Sequence, residues 1–239
     1  MQKTFLTAEW RKLIIVNYLI DPDRLLPYLP HKTELELWNG QCYVSLVGFR
    51  FINTKLKGIS LPFHRDFEEI NLRFYVRYKD GNTWKRGVTF IKEIVPKAAL
   101  TFVANSFYSE KYITLPTRHH WDLHNDSIKV IYEWKHQGEW DSLEVTASST
   151  GLDILPESEE DFITEHYWGY TQINDQITSE YQVEHPRWQT YAITGHKISV
   201  RFGELYGAEF GMLKDSIPQS IMLAEGSLIS VRGAVKIKQ

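Results

Sequence analysis

INLRFYVRYKDGNTWKRGVTFIKEIVPK, residues 70–97, reads as two strands joined by a tight turn. Along its first half Ile70, Leu72, Phe74, Val76 and Tyr78 recur at every second position, the period that puts side chains on one face of a strand. Asp80-Gly81-Asn82 supplies the turn, and Thr83–Val95 resumes with β-branched and aromatic residues. In this second run the alternation sorts Val88, Phe90 and Ile94 to one side and Thr89, Ile91 and Glu93 to the other. Two extended runs so closely joined are antiparallel, because parallel neighbours need a long crossover connection.

The same pattern spreads outward from this hairpin. Asn39-Gly40, a strong hairpin signal, separates Thr33–Trp38 from Gln41–Phe51. Further hairpins are expected at Gln137-Gly138-Glu139, near Asn174-Asp175 and at Glu225-Gly226-Ser227. Helices are few and peripheral. Asp21 caps one over 21–29 with Pro22 in its first position. Leu100, Val103, Ala104 and Phe107 fall at helical spacing within Ala98–Tyr108. Ser158 followed by Asp161 resembles a capping box for a helix over 158–167, and Arg201–Phe210 is a fourth segment, interrupted by Gly203 and Gly207. The chain of 239 residues is read as a single α+β domain over 1–239, mostly antiparallel β, its strands curved around an interior cavity. Eight Trp and thirteen Tyr suit such a cavity wall.

Composition narrows the partners. A net charge of -3, a pI near 6.3 and the lack of any Lys/Arg run argue against nucleic acid as a partner. Cys42 is the single cysteine, which excludes an intrachain disulfide and a cysteine-rich zinc site and fits a reducing, cytoplasmic setting. Lys3, Glu9, Arg11 and Lys12 precede any long apolar run, and Leu13–Val16 is far too short to span a bilayer, so no membrane partner is expected. No Walker loop, dinucleotide fingerprint, nucleophile elbow or HExxH helix occurs. His119, His120 and His124 are the densest histidine group, yet adjacent strand residues point to opposite faces, so neither a metal nor another cofactor is expected.

Two features suggest chemistry. Pro96-Lys97 stands where strand gives way to helix; proline in the first helical position would put Lys97 in the first turn, where the backbone dipole disfavours a cation, and a neutral lysine amine attacks carbonyls. Thr164–Tyr170, echoed by Glu184–Trp188, offers Tyr167, Trp168 and Trp188 as pocket walls, with Glu165 and His185 read as local pairing partners.

Phe5–Arg11, Asp21-Pro22 to Leu29-Pro30, Tyr43–Phe49, Phe67–Arg73, Glu93-Ile94-Val95-Pro96-Lys97, Thr164–Tyr170 and Glu184–Trp188 together resemble the YqjF-like family of uncharacterised proteins, over almost the whole chain. That family in turn resembles the acetoacetate decarboxylase superfamily. The resemblance implies an acetoacetate-decarboxylase-like barrel with peripheral helices and an internal cavity. It carries Lys97 onto the Schiff-base lysine, Arg11 onto an arginine that holds the substrate carboxylate and Glu69 onto a pocket glutamate. Ala98 replaces the second lysine of the decarboxylase motif, and an apolar residue stands near Leu46 where that enzyme has another glutamate. The implied function is binding of a small carboxylate or carbonyl compound without established catalysis; the alternative is a lysine Schiff-base lyase. A small-molecule ligand is the expected partner, and a homo-oligomer is left open.

Overall fold

Runs of β-branched and aromatic residues, bounded by residues able to take positive φ, give fourteen strands among the described residues. The computed structural model describes residues 3–60 and 62–238. In chain order these are β1 (Thr4–Leu19), β2 (Thr33–Leu35), β3 (Tyr43–Leu56), β4 (Phe67–Asp80), β5 (Thr83–Val95), α1 (Ala98–Tyr108), β6 (Tyr112–Thr114), β7 (Thr117–Leu123), β8 (Ser127–His136) and β9 (Glu139–Asp153). The chain continues as α2 (Glu159–Thr164), β10 (Trp168–Asn174), β11 (Ile177–Glu184), β12 (Gln189–Ser199), α3 (Phe202–Tyr206), β13 (Ser220–Arg232) and β14 (Val235–Ile237). The side chains of Val103 and Phe107, two of the four apolar positions that predict α1, lie outside the described residues.

Pairing is mostly antiparallel. Neighbours run β10-β5-β4-β3-β1-β13, and β11 pairs with both β10 and β13, so seven strands close into a ring. From β13 the sheet continues through β12, β9, β8 and β7 as a second layer. The two parallel pairings, β5 with β6 and β5 with β10, are short. This arrangement makes two cores. Between the ring and the second layer lie Ile14, Leu72, Phe74, Ile94, Tyr132, Trp134, Leu143 and Phe202. Inside the ring lie Leu13, Phe49, Phe51, Phe67, Val88, Val95, Tyr181 and Trp188. Each fully buried large aliphatic or aromatic side chain contributes roughly 1.5–3 kcal/mol, so either core outweighs the peripheral helices. No helix among the described residues is long and apolar enough to cross a membrane.

Most turn readings hold. Gly40, Gly81 and Gly138 take positive φ at the expected hairpins, and β10 and β11 turn next to Asn174. Glu225-Gly226-Ser227 is different: β13 runs through it without turning. Gly226 keeps φ at +78° because a Cβ there would lie 2.0 Å from the Trp10 carbonyl oxygen of β1. Thr33–Trp38 is strand only over Thr33–Leu35, where it pairs with β4, and the Asn39-Gly40 turn is closed by a single Trp38–Gln41 bridge. The 21–29 segment forms two short 3-10 turns, Pro22–Arg24 and Leu26–Tyr28, because Pro27 cannot donate to an α-helical ladder. Ser158 caps α2 through the Asp161 amide, as read, but the helix ends at Thr164.

One irregularity governs everything that follows. β4 and β5 pair Ile70 with Ile94, Asn71 with Glu93 and Leu72 with Lys92, and then Arg73 with Phe90. Ile91 is the extra residue of a β-bulge, which reverses the parity of β5. Val88 and Phe90 therefore share the inner face of the ring with Glu93 and Val95, while Ile91 and Ile94 join the outer core. The simple alternation read from the sequence put Glu93 on the side opposite Phe90.

Candidate active site within the ring

The ring encloses a cavity of ≈ 150 Å³. An apolar space of that size admits a small organic molecule. Its apolar wall includes Trp10, Phe49, Phe51, Phe67 and Trp188; Phe51 stacks on Phe67 with centroids 4.6 Å apart. Leu100 and Ala104 bring α1 against one side.

The polar part of the wall comes from a few strand positions. On β4 the residues between the apolar ones, Glu69, Asn71 and Arg73, point inward at spacing i, i+2, i+4. The bulge adds Glu93 beside Asn71. Ser109 ends α1 in the left-handed conformation, and Glu110 follows it into the cavity, before Tyr112 on β6. Tyr181 reaches in from β11, packed over Gly169, where a Cβ would lie 2.2 Å from the tyrosine ring. His166 and His185 complete the rim, His185 stacked between Tyr167 and Trp188 at 4.8 and 4.4 Å.

Three carboxyls are buried together here: Glu69 is 3% exposed, Glu93 1% and Glu110 7%. Glu69 is held on both oxygens, since Tyr112 Oη donates to Oε2 at 2.7 Å and Asn71 Nδ2 to Oε1 at 3.0 Å. Burial, reinforced by the charge of Glu110, still pushes Glu69 up to about 7 against those bonds and the nearby Arg73. Burial also raises Glu110 to about 7, opposed by Thr171, Tyr181 and Glu93. Glu93 rises well above the usual carboxyl range through burial and the fields of Glu110 and Glu69. Like charges so close in a low dielectric cannot all ionise, so the three share protons at neutral pH. Burial conversely lowers His166, to about 4, and His185, so both imidazoles are neutral there.

Several polar atoms in this wall lack a hydrogen-bond partner among the described residues: Glu93 Oε2, Glu110 Oε1, Asn71 Oδ1, Arg73 Nε and His166 Nδ1. Arg73 is the sharpest case. The residue is 9% exposed, and its guanidinium stands 5.8 Å from the Tyr75 ring and makes no hydrogen bond or ion pair with any described residue.

Of the residues singled out from the sequence, Glu69, Trp168 and Trp188 line this cavity. Tyr167 stands one ring behind the wall, stacked on His185 and donating to Glu165. Lys97 and Arg11 stand apart. Lys97 is exposed and is the N-cap of α1, not a first-turn residue; Pro96 precedes the cap. Arg11 lies on the other face of β1, bound to Glu9 at 2.7 Å and to Glu225 at 3.5 Å. A bulge at Lys12, whose φ is +53°, lets Trp10 and Leu13 face the cavity while Arg11 faces away. Asn71, Arg73, Glu110, Tyr112 and Tyr181 escaped the sequence reading. For β4 a signal existed: polar residues at 69, 71 and 73, facing opposite a strictly apolar stripe, have no solvent to face if both sides of the strand are covered. His119 does not contribute either, being bound to Glu68 outside the ring.

A family model described as an uncharacterized conserved protein, DUF2071, matches residues 7–227. The uncharacterized protein YqjF of Bacillus subtilis (strain 168) is 25% identical over 188 residues, 75% of this chain and 72% of that protein. Acetoacetate decarboxylase from Legionella pneumophila superposes with a TM-score of 0.66 at 13% identity, covering 98% of this chain and 87% of the other. An acetoacetate decarboxylase-like enzyme from Sphingomonas wittichii RW1 gives 0.67 at 11% identity, covering 99% and 94%. At such identities the likeness is one of fold, which hosts more than one chemistry.

Proposed function

The chain belongs to the DUF2071 family of uncharacterized conserved proteins, and from that starting point we propose that it binds a small carboxylate or carbonyl compound inside the ring. The observation that carries this reading is Arg73, a buried guanidinium without an acceptor. A guanidinium is a permanent cation with a planar fork of donors that matches a carboxylate. Leaving such a charge buried and unpaired costs about 3–5 kcal/mol, which an anionic ligand would offset. The aromatic wall then suits a short hydrocarbon or aryl body, and a protonated Glu93 can donate to a carbonyl oxygen.

The exposure of Lys97, and the lack of any lysine among the described residues of the wall, favour binding without an imine over a lysine Schiff-base lyase. The test is a thermal-shift and calorimetric screen of small carboxylates and 2-oxo acids against their neutral amides and alcohols. Acids should raise the melting temperature and their amides should not, and Arg73→Leu should abolish the preference. Equal response to acids and amides, or an unchanged preference in Arg73→Leu, sinks the reading.

A further inference from the structure

A cavity that only held an anion would gain nothing from three buried carboxyls, which repel one. Resting on the reading above, we propose that the site also catalyses proton transfer at the carbon beside a carbonyl, the enolisation of a small 2-oxo acid, with Glu69 as base, Glu93 as acid and Arg73 holding the carboxylate. The environments of the two carboxyls divide these roles. Glu69 receives two hydrogen bonds, from Tyr112 and Asn71, which favour its ionised form and fix its plane, and each oxygen keeps a lone pair for a proton. Glu93 is almost fully buried and bonded to the Glu110 carboxyl beside it, but its Oε2 meets no polar partner among the described residues, so a proton carried on Oε2 of Glu93 is free to be given to the ligand. The perturbed carboxyls described above lie in the range useful to acid–base catalysis near neutrality.

The step balances without a co-reactant. The Glu69 carboxylate takes a proton from C3, and the C–H electron pair becomes the C2–C3 double bond. The π pair of the C2 carbonyl moves onto its oxygen, which takes the proton of Glu93. One carboxyl gains a proton as the other loses one, so the charge on the cluster is unchanged. That matters in a cavity where each added negative charge is opposed by burial. Reversal in D2O, after Glu69 has exchanged its proton, returns a ketone labelled at C3.

The experiment follows the C3 proton signal of 2-oxobutanoate in D2O by NMR, and separately measures binding of 3,3-dimethyl-2-oxobutanoate, which has no C3 hydrogen, by calorimetry. The protein should accelerate exchange on the order of 100-fold or more over buffer. Glu69→Gln and Glu93→Gln should each remove most of that acceleration while changing the affinity for the dimethyl compound by less than about tenfold. Melting curves check that the variants fold. Glu69→Asp, which keeps the charge but retracts it by one carbon, should retain the fold and slow exchange. The rate should rise with pH as Glu69 ionises and fall as Glu93 does. The titratable, charged and amide groups that line the cavity with Glu69 are Asn71 and Arg73 of β4, Glu93 of β5, Glu110, Tyr112 of β6, Tyr181 of β11, His64, His166 and His185. Binding without accelerated exchange overturns the inference and leaves the binding function standing. Binding of neither 2-oxo acid overturns both. Full exchange in Glu69→Gln, or a borohydride-trapped lysine adduct that accompanies exchange, assigns the chemistry to other groups and overturns it too.

Discussion

Two charged clusters sit on opposite faces of the same ring wall and are built on opposite principles. On the outer face Glu9, Arg11, Lys12 and Glu225 alternate in sign, and each charge has a partner: Arg11 binds Glu9 and Glu225, Lys12 binds Glu225 and lies 3.2 Å from the Tyr191 hydroxyl, and Asn53 donates to Glu9 at 2.9 Å. On the inner face three carboxyls crowd together, and Arg73 has no acceptor among the described residues. The outer cluster is electrostatically complete and, apart from the buried Lys12, partly in water, so the contribution of its Arg11 pairs is small and structural. The inner cluster is incomplete and buried, an arrangement that lowers stability unless something else completes it. Function is to be sought where compensation is missing, and the residue types alone do not distinguish the two places.

The largest effect should come from Arg73. Arg73→Leu is expected to weaken binding of a small carboxylate by on the order of 100-fold, roughly 3 kcal/mol, without lowering the melting temperature of the free protein, because the leucine removes an unpaired buried charge. A matching loss in Arg11→Leu would erase the distinction between the clusters. Next comes pH. The raised carboxyls of the inner cluster hold protons in the native state that the unfolded chain has lost, so their contribution is fully present below about 4.5 and is lost as pH rises through the native values near 7. Glu9, lowered by Asn53 and Arg11, behaves in reverse, its contribution present above about 4.5 and lost as pH falls through its lowered value. Urea unfolding across pH 4–8 should show Glu93→Gln flattening the decline on the alkaline side, whereas Glu9→Gln should alter only the acid side.

Gly169→Ala probes how the inner cluster is held. The added Cβ would overlap the Tyr181 ring, so a cost of about 1–2 kcal/mol and weaker ligand binding are expected together, read by unfolding and calorimetry. The smallest effect belongs to Arg11→Met: less than about 1 kcal/mol in stability, and ligand affinity unchanged within about twofold. A large effect there would mean that the outer cluster matters more than its pairing implies.

Much of the fold was legible because it is written locally. The apolar stripe of β4, the turns at Gly40, Gly81 and Gly138, and the serine cap of α2 depend on a few neighbouring residues and on backbone dihedrals that those residues favour. The failures share a cause. Gly226 satisfies the same local rule as a turn glycine, but it answers to the Trp10 carbonyl on another strand. The 3-10 turns at 22–28 show the opposite case, in which a local signal, Pro27, was present and outweighed by the helix-start pattern around it.

The sequence by itself determined an antiparallel β protein, since strand period and turn preference are properties of short segments; its aromatic segments pointed to Trp168 and Trp188, and its family resemblance to Glu69. Only the tertiary structure decided that Glu69, Asn71, Arg73, Glu93 and Glu110 share one cavity while Lys97 and Arg11 lie outside its wall. The physical reason is parity and closure. A single extra residue at Ile91, and another irregularity at Lys12, choose which alternate side chains face inward, and the pairing of β11 with β13 closes the ring around that face. Burial, which raises the carboxyls and leaves Arg73 unpaired, exists only once the ring is shut.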